Sequence, residues 1–151
     1  TRKESSAASD VYKRQHMPYA TALTLVAPRT LDTTLSQNAM RFHGRVMIDP
    51  DYNGLALDDS EGLRIAHAMD GADVVFLANH GVVVCGTDVA YAYDDLYYLE
   101  RACQAEVLAR STGLPLKPAA PALAAHVGAQ VESERLQSTL FFEALRRQLP
   151  D

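Results

Sequence analysis

Two short apolar runs, Asp73–Ala78 and Val82–Cys85, flank the tripeptide Asn79-His80-Gly81. Valine-rich runs of this length fit buried strands. A histidine is thereby placed where one strand ends and another is about to begin. The longest periodic segment follows at once. Val89, Ala92, Tyr93, Leu96, Leu99, Cys103 and Val107 recur every three or four residues, which predicts a helix over about Asp88–Ser111 with one broad apolar face. Thr87 or Asp88 can cap its start, and Gly113 with Pro115 ends it.

The rest of the chain reads as further alternation. Pro18 suits a first helical turn, Tyr19, Ala22, Leu23 and Val26 continue at helical spacing, and Pro28 stops the segment. A short helix is expected around Gln37–Phe42 and a short strand over Arg45–Ile48. Asp49-Pro50-Asp51-Tyr52-Asn53-Gly54 is turn chemistry. Ser60 and Glu61 open a helix running to about Met69, which Gly71 terminates. Residues 114–121 form a Pro-rich connector, and Ala122–Gln148 reads as one or two amphipathic helices using Leu123, Val127, Val131, Leu140, Ala144 and Leu145. Glu143 and Arg147 stand at a spacing that allows an ion pair. Alternating strands and helices restrict the class to α/β or α+β.

Residues 1–15 break this pattern. They are polar and without period, and read as a non-native or disordered segment. The expected organisation is thus 1–15, then a folded region 16–113, then a connector with C-terminal helices over 114–151.

Composition narrows the function. A net charge of −5 argues against non-specific nucleic-acid binding. No apolar run is long enough to span a membrane, and the first residues lack the apolar core of a signal peptide. Cys85 and Cys103 lie in apolar patterns without metal or redox spacing, which suits reduced thiols in a cytoplasmic protein.

Of the five histidines, His16 precedes a helix start and His80 ends a strand, positions from which a scaffold presents a side chain to a cleft. Histidine is a common metal ligand, and a catalytic zinc needs three protein ligands and an open position. Two distant histidines alone are weak evidence for metal. His43, His67 and His126 lack motif context and read as surface or satisfied core residues. Tyr91, Tyr93, Tyr97 and Tyr98 wrap most of their helix, at a core boundary or a subunit interface.

Three stretches carry more information together. They are HMPYATALTLV from His16, FLANHGVVVCG ending at Gly86, and AYDDLYYLERACQAEVLA from Ala92. In order and spacing they resemble the class II aldolase/adducin family, over about Gln15–Gly113. SQNAMRFHGRV and DYNGLALDD are more similar to an adducin-like bacterial branch. The resemblance implies an α/β fold in α/β/α layers, with a central sheet flanked by helices and incomplete at the N-terminus. It implies that His16 is the second histidine of a His-x-His-x-Pro motif and His80 the histidine of an Asn-His-Gly motif, both ligands of Zn2+ or another divalent metal. The first histidine of that motif falls on Arg14, which cannot ligate.

The family's acid/base, usually a glutamate, lies upstream of the matching region, so the catalytic residue is unassigned. The resemblance marks Glu100 for orienting a ligand histidine, against a solvated glutamate paired near Arg101 or Gln104. Tyr19 is a candidate lining residue beside His16. The implied activity is a metal-dependent lyase acting on a small sugar or sugar-acid substrate. It cleaves by retro-aldol chemistry through a metal-stabilised enediolate, in a homo-oligomer, by family resemblance a tetramer, and impaired without its upstream part. Epimerisation and decarboxylation are sister outcomes. The alternative is a metal-free, adducin-like binding or assembly module.

Overall fold

The structure is a computed structural model and describes residues 11–51 and 59–149. The Asn53-Gly54 turn expected from the sequence lies outside the described residues. Four strands form one mixed sheet in the order β1-β4-β3-β2: β1 (Val11–Gln15), β2 (Val46–Asp49), β3 (Val74–Leu77) and β4 (Gly81–Gly86). β3 and β4 are antiparallel, with Val75 opposite Val83, β1 is antiparallel to β4, and β2 runs parallel to β3.

Every residue of β3 is buried, as expected of a strand covered on both faces. Its side chains divide by the strand's period of two. Val74 and Phe76, with Val82 and Val84 of β4, join the main core, which also contains Ala20, Leu23, Leu99, Ala102 and Cys103. Val75, Leu77 and Val83 face the other way, against Ile65, Ala68 and Met69. The first group is covered by α1 (Pro18–Thr24) and α4 (Val89–Ser111), the second by α3 (Asp59–Met69). The result is the α/β/α layering. α2 (Gln37–Met40) and a later helix, α6 (Leu136–Arg146), pack on α4, and α5 (Pro121–Ser133) packs on α2.

Local chemistry places the boundaries. Asp88 accepts the Tyr91 N–H at 2.9 Å and caps α4. Gly71 adopts φ +83° just beyond the end of α3. Gly86 sits where β4 runs into α4, and a Cβ there would lie 2.7 Å from the Ala92 nitrogen. Glycine is what lets strand and helix approach this closely. No helix of the described residues is long and apolar enough to cross a membrane.

Several expectations change. Residues Val11–Gln15, read from sequence as part of a patternless segment, form β1. The free backbone groups along β4 pair with an extended neighbour whatever its side-chain period. α4 does not bury a single apolar face. It also buries Asp94, Asp95, Glu100 and Glu106, while Val89 is exposed. The helix has sheet on one side and helices on another, and each of these four carboxylates has partners.

In the C-terminal pair, Leu123 and Leu140 are exposed, and Ala124 and Ser138 take the buried positions. Small residues allow the close approach, since a Cβ on Gly128 would lie 3.1 Å from the Met40 carbonyl oxygen. Glu143 pairs with Arg146 at 3.1 Å rather than with Arg147.

Candidate functional site

His16 leaves the end of β1 two residues before Pro18 opens α1. His80 occupies the turn between β3 and β4. That turn needs Asn79 in the left-handed region at φ 57°, which asparagine tolerates better than most residues. The His80 N–H donates to the Leu77 carbonyl at 3.1 Å, and the Asn79 N–H reaches the Thr24 carbonyl at 3.5 Å, so the turn touches the far end of α1. The fold brings the two histidines together. Their rings stack with centroids 4.8 Å apart and planes 7° from parallel. His16 is exposed and His80 half-buried, so the pair opens to solvent.

Glu100 is buried at 7% exposure and does not pair as a solvated glutamate would. Its Oε1 accepts the Tyr19 N–H and its Oε2 the Ala20 N–H, each at 2.9 Å. These are orphan donors of the first turn of α1, whose N-cap residue Met17 offers no side-chain acceptor. Tyr19 packs half-buried against the main core. Glu106, lower on the same helix, accepts the Asp32 N–H at 2.8 Å and pairs with Arg110 at 2.7 Å. Between them sits Cys103. Burial, and then the charges of Glu100 and Glu106, push its thiol well above its usual range.

The ring spacing matches two ligands of one ion but the ring orientation does not, because near-parallel stacked imidazoles do not aim their in-plane nitrogen lone pairs at one point. Zinc–nitrogen bonds of about 2.0–2.1 Å put two imidazole centroids roughly 5 Å apart at a tetrahedral angle. The number of donors does not suit an ion either. Among the described residues no group of three or more His, Cys, Asp or Glu is placed to hold a metal. Position 14, partnered with Val83 across the β1–β4 ladder, carries an arginine with no lone pair to give. Two ligands fall short of the three that a catalytic zinc requires.

A second polar centre was not anticipated from sequence. Asp95, 1% exposed, accepts from Arg135 Nη1 and Nη2, Arg41 Nε and Arg45 Nη2 at 2.8–3.1 Å. Asp94 pairs with Arg41 and accepts the Ser138 hydroxyl at 2.6 Å. Burial alone would raise the Asp95 carboxyl. Hydrogen bonds from Arg135 and the charges of Arg45, Arg135 and Arg41 outweigh it and hold the group below its usual range. Arg45 and Arg135 also reach Asp73 and Glu132, so the cluster is internally compensated and ties α4 to the α5–α6 junction. A sequence signal for it exists. Asp95 lies three residues after Ala92 and four before Leu99, on the apolar stripe itself.

The family model for the class II aldolase and adducin N-terminal domain matches residues 15–107. The chain belongs to the class II aldolase and adducin family. Within that family it is similar to the decarboxylase NovR of Streptomyces niveus, with 30% identity over 100 residues, 66% of this chain and 36% of NovR. Among solved structures it resembles an aldolase II superfamily protein from Pseudomonas syringae, with TM-score 0.76 and 28% identity over 91% of this chain and 55% of that one. It shares its fold with an L-fuculose 1-phosphate aldolase from Glaciozyma antarctica, with TM-score 0.73 and 22% identity over 90% of this chain and 51% of that one. The chain therefore spans about half the length of these solved class II aldolase relatives, and the match to NovR covers about a third of that protein.

Proposed function

We propose that this chain carries part of the active centre of a class II aldolase-type lyase acting on a small sugar-like hydroxy-carbonyl substrate in a homo-oligomer. His16 and His80 are two ligands of a three-histidine divalent-metal site whose remaining position is occupied here by Arg14. The observation that supports this reading is that the fold brings His16 and His80 together from distant parts of the chain, with ring centroids 4.8 Å apart. An ion held by three ligands supplies Lewis-acid polarisation of a substrate carbonyl. With Arg14 in place the described residues contribute two donors and no third, so the reading assigns this chain weak metal binding and little lyase activity of its own.

The test is zinc binding to the 151-residue chain and to Arg14→His, followed by elemental analysis after gel filtration. The unsubstituted chain is expected to keep well under one zinc per chain. Arg14→His is expected to approach one, and a further His80→Ala change to remove it. No gain on Arg14→His would overturn the three-histidine reading. Arg14 itself favours a second reading, a metal-free module of adducin type that binds or assembles without catalysis. Zinc binding at position 14 variants that stays at background supports that module.

A further inference from the structure

We propose that Glu100 is a positioning residue that sets His16 against His80. The inference rests on reading those two histidines as partners in one site. His16 is exposed, so no surrounding core locks its side chain, and its place follows from the backbone leading into α1. That backbone lacks a cap of its own, because Met17 makes no side-chain bond to the helix. Glu100 supplies the missing acceptor from 80 residues away, one oxygen each for Tyr19 and Ala20. A carboxylate at a helix N-terminus also meets the positive end of the backbone dipoles.

The other side of the pair is tied to the same helix. β4 begins at Gly81, next to His80, and ends at Gly86, which abuts Ala92 of α4. One rigid path therefore runs from His80 through β4 and α4 to Glu100, and on through the first turn of α1 to His16. Glu106 provides an internal comparison. It is more deeply buried than Glu100 and holds a backbone N–H, but that amide belongs to Asp32, beyond the end of α1.

Histidine ring spectra of the 151-residue chain test this, with Glu100→Gln and Glu106→Gln beside it. A glutamine presents an amide NH2 where one carboxylate oxygen stood, and so gives up one of the two backbone bonds. Glu100→Gln is expected to shift the His16 and His80 ring resonances and to abolish the cross-relaxation between the rings. Glu106→Gln is expected to lower stability while leaving both in place. If Glu100→Gln does not fold, Glu100→Asp keeps the charge but is too short to reach both amides, and the same ring changes are expected. In the unsubstituted chain the Tyr19 and Ala20 amides should exchange slowly with solvent. A folded Glu100 variant with unchanged rings overturns the proposal. So do equal ring changes in Glu106→Gln, or fast exchange at Tyr19 and Ala20. No arm uses a metal, so failure of metal binding would leave this result standing.

Discussion

Arg135 holds Asp95 through both carboxylate oxygens, Nη1 to Oδ1 at 2.9 Å and Nη2 to Oδ2 at 2.8 Å. This forked contact joins the middle of α4 to the short link between α5 and α6. Around it the aromatic residues close the same interface. Phe142 meets Tyr93 edge-on at 5.7 Å, and Phe141 meets Tyr97 at 5.4 Å. Tyrosines that the sequence left between core boundary and subunit interface are used, in part, to seat the C-terminal helix of their own chain.

Asp95→Asn is expected to cost about 3–5 kcal/mol, the usual loss when one member of a buried ion pair is removed. The dependence on pH has a definite sign. The folded carboxyl lies below its usual value, so its contribution is complete above the unfolded value of about 3.9. It is lost as pH falls below that toward the depressed folded value. Urea unfolding at pH 5 and pH 3 should show the parent chain losing more stability on acidification than Asp95→Asn. Equal losses would remove Asp95 from the account.

Gly86→Ala places a methyl group 2.7 Å from the Ala92 nitrogen and 3.1 Å from its Cα, atoms that cannot yield as a flexible side chain does. We expect a loss of about 1–3 kcal/mol, as for overpacking elsewhere. Gly62, within α3, has nothing within 4 Å of the same added carbon. Gly62→Ala should stabilise by about 0.5–1 kcal/mol through helix propensity. Thermal melts of the two variants should move in opposite directions, and a common direction would contradict the steric argument.

Cys103 is fully buried and its thiol is pushed up by burial and by two neighbouring carboxylates, whereas Cys85 is half-buried beside Met69 at 3.7 Å. Alkylation followed by peptide mass analysis at neutral pH should label Cys85 first and leave Cys103 until the chain unfolds. Comparable rates at the two residues would mean that the α4 face opens readily.

Much of the fold was legible because its signals are local. The valine-rich runs declare β3 and β4, the three-and-four spacing declares α4, and Asp88, Gly71 and Gly113 mark helix ends through their own backbone or side-chain chemistry. His16 and His80 were also visible as candidates, since each stands at the edge of such an element. What surrounds them was not. Whether Glu100 meets solvent or two amide groups depends on where α1 lands, 80 residues earlier in the chain.

The same holds for Asp95, whose arginine partners come from the residue capping the end of α2, the residue before β2 and the α5–α6 junction. It holds as well for β1, a polar strand whose pairing was decided by the open edge of β4 rather than by its own pattern. Residue type and spacing settle which elements form, because hydrogen bonding and periodicity act within a few residues. Tertiary structure alone decides which buried charge finds which partner, and it set His16 against His80, because those contacts exist only once distant elements have packed.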